Sequence, residues 1–166
     1  MLSKDYIATN LCLIISGAKV FHFGVLNSLM HMLWTRAVGG KLETRIRYSK
    51  EVVYNTFPFP IDVTFAQEDG IVKAALHIIE EREKHTEKTL AELYDPDKMP
   101  DGLREAHHQN DLAVERCYRS KPFTSDEERL EHLFKLYEQM IEEEKNRGTL
   151  FEAESIPVKK AGKKKA

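Results

Sequence analysis

The sequence predicts an α+β protein in which helix predominates: short strands with one helix, followed by a C-terminal bundle of three to four helices. Beyond residue 60, apolar residues recur at spacings of three and four, the period of an amphipathic helix. Apolar and charged residues alternate only around residue 45, as in a half-exposed strand. A Phe-Pro-Phe-Pro run at 57–60 separates the two patterns, because proline breaks regular structure.

The first sixty residues are predicted to mix strand and helix. The apolar run 11–15 indicates a buried strand, and residues 21–37 carry a helical stripe. Gly39 and Gly40 are expected to end that helix through left-handed backbone geometry. Residues 41–48 are predicted to form one strand, with Glu43, Arg45 and Arg47 on its outer face, and residues 52–54 a second extended piece.

The remainder is predicted to be helical. Two helices are expected over 71–84 and 90–94. A third is expected to begin at a cap formed by Asp101, and a fourth to run from a capping box formed by Ser125 and Glu128 to Gly148, which ends it. The predicted organisation is a first region at 1–60, a helical domain at 61–147 and a basic, disordered tail at 148–166.

Charge is distributed unevenly along the chain. Residues 1–60 hold seven Lys/Arg and three Asp/Glu, a balance of +4, whereas residues 61–150 hold thirteen and twenty-two, a balance of −9. A chain divided in this way can present its basic part to a polyanion and turn its acidic part away.

The sequence lacks the usual signatures of catalysis. Its glycines form no phosphate-binding loop, no Cys-x-x-Cys or His-Glu-x-x-His pattern is present, and no nucleophile motif is recognisable. Cys12 and Cys117 cannot make a disulfide framework, and the N-terminus is too polar for a signal peptide, so a cytoplasmic location is expected. We therefore expect that the chain alone is not an enzyme and binds no metal or cofactor.

The strand predicted near residue 45 carries the chemistry of DNA recognition. Arginine offers a fork to guanine O6 and N7, and glutamate accepts from the cytosine amino group, so Glu43 and Arg45 could read bases. Arg47, Tyr48, Ser49 and Lys50, with Lys41 at the other end, are candidates for phosphate contacts. The alternative is an exposed strand whose charges only prevent edge-to-edge aggregation.

Several blocks of sequence carry a family resemblance. The longest read HFGVLNSLMHMLW at 22–34, VGGKLETRIRYS at 38–49 and VYNTFPFP at 53–60, and further blocks follow at 90–96, 103–107, 111–114 and 133–138. In this order they resemble the C-terminal part of MmeI-like proteins, the fused type IIG/IIL restriction-modification adenine methyltransferases. The resemblance covers about residues 5–140.

The resemblance implies the end of a DNA target recognition domain followed by C-terminal helices. It assigns base reading to Glu43 and Arg45, while Lys41 stands where relatives often have arginine and Phe59 where they often have tryptophan. It also implies that S-adenosylmethionine and Mg²⁺ serve only parent domains outside this chain. The implied partners are double-stranded DNA and a methyltransferase domain, of the parent or of a partner chain.

Two functional hypotheses follow from the residues and the resemblance together. The first is a target-recognition and helical C-terminal fragment of a site-specific adenine-N6 DNA methyltransferase. The alternative is a non-catalytic helical protein-interaction module without DNA specificity. DNA binding that weakens as salt rises would distinguish the first from the second.

Overall fold

The computed structural model describes residues 13–42 and 45–152. Within them the chain forms six α-helices, one π-helix and a two-stranded antiparallel sheet. In chain order these are α1 Val20–Leu26, α2 Leu29–Val38, β1 Gly40–Leu42, β2 Arg45–Arg47, the π-helix Lys50–Tyr54, α3 Phe65–Glu83, α4 Leu90–Leu93, α5 Asp101–Tyr118 and α6 Asp126–Glu152. The prediction of a predominantly helical α+β protein is confirmed.

The segment predicted as one helix over 21–37 is two helices. The chain breaks at Asn27 and Ser28, where Ser28 takes extended backbone angles and its Oγ accepts a hydrogen bond from the His31 N–H at 3.4 Å. A serine at this position favours a new helix start over continuation, because its side chain satisfies an N–H that the first turn leaves free. The apolar periodicity continues across the break, so it could not reveal it.

Residues 13–15 do not form the predicted buried strand. Leu13 is 58% exposed and Ile14 is 73% exposed, and neither pairs with another strand in the described part of the chain. Leu11 and Cys12, the other half of that prediction, lie outside the described residues.

The single strand predicted over 41–48 is instead a hairpin. β1 and β2 pair antiparallel, with Gly40 opposite Arg47, Lys41 opposite Ile46 and Leu42 opposite Arg45. Glu43 and Thr44, between the strands, lie outside the described residues. We call residues 40–47 the hairpin below.

The extended piece predicted over 52–54 is also wrong, because these residues belong to the π-helix. Its first turn is capped by Ser49, whose Oγ accepts from the Val52 N–H at 3.4 Å, and the Asn55 N–H donates to Lys50 at 2.8 Å. Val53 is fully buried in this turn. Burial of this side chain therefore outweighs the strand preference of two consecutive valines.

The later helices form where they are predicted, but some of them begin or end at other residues than predicted. α3 begins six residues before the predicted start, because Thr64 and Gln67 form a reciprocal capping box. Pro100, not Asp101, is the N-cap of α5. In α6 the Glu128 N–H donates to Ser125 as predicted, but the Glu128 carboxylate accepts from Thr124, and the helix continues through Gly148.

One hydrophobic core joins the two regions that the sequence separates. Its buried members come from both sides of residue 60: Val25, Met30, Trp34, Val53 and Phe57 before it, and Ile71, Val114, Phe123 and Leu133 after it. A second cluster, formed by Ile78, Leu93, Leu103 and Ala106, lies between α3, α4 and α5.

The Phe-Pro-Phe-Pro segment lies inside the larger core and not in an exposed linker. Phe57 is 2% exposed, Pro58 is fully buried, and the Tyr118 hydroxyl donates to the Pro58 carbonyl at 3.0 Å. The segment lacks regular structure, as predicted. Its burial joins the first sixty residues to the helices that follow.

Candidate nucleic-acid interface

The hairpin begins directly at the end of α2. The Gly39 N–H donates to the Thr35 carbonyl at 2.9 Å, and a Cβ at residue 39 would collide with that same oxygen. Gly39 has a φ of −67°, so the expectation of left-handed geometry is wrong. Glycine is required at residue 39 because the chain leaving α2 passes too close to the Thr35 carbonyl for any side chain.

The second strand is held to α2 by a hydrogen bond between two side chains. Tyr48 follows β2, and its hydroxyl lies 3.0 Å from His31 Nε2. His31 is 4% exposed, and its ring packs edge-on against Phe57 with the centroids 4.5 Å apart. Burial lowers the pKa of His31 to about 4, so the imidazole is neutral at pH 7. A neutral imidazole can accept from the hydroxyl or donate to it.

The residues predicted to contact DNA lie in different elements, and some of them are already engaged in contacts within the protein. The backbones of Lys41 and Arg45 lie in β1 and β2, and Arg47 is exposed at the end of β2. Ser49 is engaged as the cap of the π-helix and also donates to Glu51 at 3.2 Å. Lys50 is exposed at the start of the π-helix. Glu43 is not among the described residues.

Three cations near the hairpin have no partner among the described residues. The exposed side chains of Arg36, Arg47 and Lys50 make no ion pair or hydrogen bond there. The helical region differs, since many of its cations are paired: Lys73 with Asp69 at 2.6 Å, Arg119 with Glu128 at 2.8 Å and Arg129 with Glu115 at 2.7 Å. Unpaired cations retain their full charge for an external anion.

Arg36 was not among the residues singled out from the sequence. It lies in the last turn of α2, four residues before the hairpin. The available signal was its position as a basic residue just before a glycine turn. We call Arg36, Arg47 and Lys50 the free cations below.

An apolar groove of about 910 Å³ lies beside the hairpin. Its walls are residues 13–16, one side of α2 and the segment after β2, and they include Met32, Tyr48, Lys50 and Tyr54. The groove is lined mainly by hydrocarbon and aromatic surface, so it suits packing against apolar groups better than binding of phosphate.

A polar network ties together the helices farther from the hairpin. The Tyr94 hydroxyl accepts from Arg82 Nε at 2.7 Å and lies 2.7 Å from His107 Nε2. Burial, and then the charge of Arg82, lower the pKa of His107. The network joins α3, α4 and α5, and its role in the fold is structural.

Residues 13–42 and 45–152 contain neither a metal-binding cluster nor a membrane-spanning helix. No group of three or more His, Cys, Asp or Glu side chains in this part of the chain could hold a metal ion. None of its helices has the length and hydropathy needed to cross a bilayer.

Comparison with known proteins identifies both regions. Residues 1–61 match the family model described as MmeI, target recognition domain, and residues 63–143 match MmeI, C-terminal domain. DNA methyltransferase A of Bacillus subtilis (strain 168) is 48% identical over 142 residues, which are 86% of this chain and 16% of that protein.

A solved structure is also similar. It is that of the Type IIL restriction-modification enzyme MmeI in complex with DNA, with a TM-score of 0.72 and 41% identity over 76% of this chain and 17% of that one. The fold and both matched regions define a target-recognition domain followed by its C-terminal helical domain. The chain is MmeI-like and corresponds to the C-terminal part of such proteins, which confirms the resemblance seen in the sequence. It corresponds to about one-sixth of the length of these relatives.

Proposed function

We propose that this chain binds double-stranded DNA through the hairpin and the free cations. In a longer protein it would contribute to reading the target sequence of a site-specific adenine-N6 methyltransferase. One observation carries the proposal: the hairpin lies within the segment that matches the MmeI target recognition domain, and the cations beside it have no partner in the part of the chain that the structure describes.

Base reading is assigned to Glu43 and Arg45. A two-stranded ribbon fits the major groove, where Arg45 can fork onto guanine and Glu43 can accept from the cytosine of the same pair. This assignment depends on the family resemblance and on the residue chemistry, and the hairpin puts Arg45 at the first position of β2.

Backbone contacts are assigned first to Arg47 and Lys50, with Lys41 beside them in β1 and with Arg36 added from α2. Tyr48 and Ser49 remain candidates, but the hydroxyl of each is already engaged within the protein. Either hydroxyl would have to exchange that bond for one to a phosphate oxygen. The free cations need no such exchange, so we expect them to provide most of the phosphate affinity.

The charge distribution supports one orientation on DNA. The acidic helical region, with its balance of −9, would be repelled by the phosphates, whereas the basic first sixty residues would be attracted. The chain would therefore approach DNA with the hairpin foremost.

We assign methyl transfer to other parts of the longer parent protein, outside the two regions to which this chain is similar. Its described residues offer no glycine-rich loop for S-adenosylmethionine and no acidic cluster for Mg²⁺. We propose that a parent of type IIG, acting on DNA in the bacterial cytoplasm, supplies both sites, either on the same polypeptide or on a partner chain. Calorimetry that showed micromolar S-adenosylmethionine binding to this chain would contradict that assignment.

Fluorescence anisotropy with a labelled duplex at several salt concentrations tests DNA binding. We expect dissociation constants of about 10⁻⁴ to 10⁻⁶ M and a log–log salt slope of about −3 to −5, because only a few phosphates are neutralised. A triple alanine variant of Arg36, Arg47 and Lys50 should lose most of the binding.

The matched control removes three paired cations of the helical region, Lys73, Lys98 and Lys135, and therefore makes the same change in net charge. Equal weakening by the two triple variants would mean that binding follows net charge and not the hairpin surface. No binding at low salt would favour the protein-interaction module.

A further inference from the structure

The C-terminal helices contact the helix that carries the hairpin at two places, its first turn and its middle. At the first turn of α2, the Leu29 N–H donates to Asp111 Oδ1 of α5 at 2.7 Å. Farther along α2, the fully buried ring of Trp34 packs against two rings of α6, Phe134 and Tyr137, with centroids 5.1 and 5.4 Å away. The orientation of α2 is thus set by residues that lie 82 positions or more after the α2 residues they contact.

The same helix then holds both strands of the hairpin. Before β1, the Thr35 carbonyl accepts a hydrogen bond from the Gly39 N–H. After β2, the Tyr48 hydroxyl is hydrogen-bonded to the His31 side chain. His31 and Thr35 are themselves linked, since the Thr35 hydroxyl donates to the His31 carbonyl at 2.7 Å. One turn of α2 therefore attaches both strands, and a rotation of α2 would displace them together.

We propose that the C-terminal helices act as a mount that fixes the orientation of the hairpin, with α2 as the connecting element. Asp111, Phe134, His31 and Tyr48 are positioning residues in this scheme, since each acts on the hairpin through α2 or through the backbone next to it. The proposal relies on the proposed function only for the statement that the hairpin contacts DNA. The mechanical coupling can be measured without DNA.

Amide hydrogen exchange on the free chain measures this coupling directly, because local opening of the hairpin is reported by its own amides. Replacing Tyr48 with phenylalanine removes only the hydroxyl that bonds His31. We expect exchange of the hairpin amides in Y48F to rise about five- to tenfold, as for loss of one hydrogen bond. The amides of α3 and α5 should be unchanged.

The decisive variant is Asp111→Ala, because Asp111 bonds α2 and makes no hydrogen bond or ion pair with the described residues of the hairpin. We expect a similar rise in hairpin exchange, and Asp111→Asn, which keeps an acceptor oxygen for Leu29, should restore the slower rate. Asp69→Ala is the matched control, because Asp69 pairs with Lys73 on the surface of α3. Ile78→Val, in the second core cluster, controls for a general loss of stability.

A second pair of variants tests the contact with α6 and remains informative if Asp111→Ala fails to fold. Phe134→Leu removes the ring that packs on Trp34, and Phe65→Leu removes an 85% exposed ring at the start of α3. Only the former should raise hairpin exchange. If Asp111→Ala or Phe134→Leu alters the hairpin no more than its control does, the mount is refuted.

The DNA arm separates this inference from the proposed function. If the hairpin responds as expected but the chain binds no duplex at low salt, the mount stands and the DNA assignment fails. If duplex binding is present but hairpin exchange is insensitive to α5 and α6, the opposite conclusion follows.

Discussion

The Asp111 carboxylate of α5 accepts a hydrogen bond at 2.7 Å from the backbone N–H of Leu29, 82 positions earlier in the chain. This bond supplies an acceptor at the start of α2, where N–H groups have no partner within the helix. Burial is the main influence on Asp111 and raises its pKa to about 6, although the Leu29 bond opposes that shift and Glu115 adds to it. The Asp111 carboxylate therefore accepts the hydrogen bond at the start of α2 although burial makes its negative charge unfavourable.

The raised pKa predicts that Asp111 makes folding depend on pH. A folded-state pKa of about 6, against 3.8 for an ordinary aspartate, means that the folded protein binds this proton more tightly. The contribution of Asp111 to stability is therefore fully present below about pH 4 and is lost as the pH rises towards 6. Asp111→Asn should be more stable than the parent at pH 7 by about 1 kcal/mol, and no more stable at pH 4.

Urea denaturation at pH 4 and at pH 7 measures the difference between these proteins. Asp69→Asn, which changes an exposed, paired carboxylate, should not show the same pattern. An Asp111→Asn variant that was destabilised equally at both pH values would show that the negative charge itself is needed by α2.

Gly24 is predicted to be intolerant of any side chain. A Cβ there would lie 2.5 Å from Ile71 Cγ2 and 3.0 Å from Asn110 Oδ1, and the Asn110 side chain also donates to the Gly24 carbonyl. Gly24→Ala should lower the free energy of unfolding by about 1–3 kcal/mol, because α1 must move away from α3 and α5. Gly70→Ala is the control, since nothing lies within 4 Å of its added Cβ.

Thermal denaturation should move in opposite directions for these two glycine variants. Gly70 lies within α3, where alanine is favoured over glycine by about 0.5–1 kcal/mol, so Gly70→Ala should melt higher than the parent. A Gly24→Ala variant that also melted higher would contradict the close packing of α1.

The hydrogen bond between Tyr118 and the Pro58 carbonyl should contribute measurably to stability. Tyr118→Phe removes the hydroxyl and leaves a buried carbonyl without this donor. We expect a loss of about 1–2 kcal/mol in the free energy of unfolding, measured in urea. Tyr137→Phe is the matched control, because Tyr137 makes ring contacts but no hydrogen bond among the described residues, and its loss should be much smaller.

Arg47 is predicted to bind a phosphate and not a base. Arg47→Ala should weaken binding to all duplex sequences alike and reduce the magnitude of the salt slope by about 0.9. Lys73→Ala, which removes a cation already paired with Asp69, should leave the slope unchanged. Anisotropy with two unrelated duplexes decides the matter, since weakening confined to one sequence would indicate a base contact.

Glu43 and Arg45 are predicted to read one C·G pair in the longer protein. Changing either alone should cost about 1–3 kcal/mol, and changing both to Lys and Asp should redirect the preferred base at one position. Sequencing of the methylated sites made by such a parent protein measures the outcome. An unchanged recognition sequence in the double variant would refute the base-reading role.

The sequence predicted the helical character of the fold well because long apolar stripes determine which faces are buried. It failed where short-range preference and tertiary packing disagree. Val52 and Val53 favour a strand, yet burial of Val53 and the Ser49 cap produce a π-helix. The alternation over 41–48 continues through the hairpin, so periodicity alone could not show that one strand was two.

The candidate site was predicted in part. The basic character of residues 41–50 was visible in the sequence, as was the family to which they belong. The attachment of the hairpin to α2 could not be predicted. It depends on a contact between His31 and Tyr48, and the sequence pattern around His31 indicates only a helix, while that around Tyr48 indicates only a strand. Arg36 was not predicted for a similar reason, since only the fold shows that it has no partner among the described residues.

The burial of Phe57 and Pro58 at the junction of the two matched regions has a consequence for protein engineering. In a chimaera that takes only residues 1–61 from a relative, the side chains at positions 34 and 57 would come from the relative. Their packing partners on α5 and α6 would still be those of this protein, so the core between them would pack poorly. A smaller unit to transplant is the hairpin itself, because its described residues meet the rest of the molecule at few points. Grafts cut at Gly39 and Tyr48 should preserve solubility and yield, whereas grafts cut at residue 61 should not.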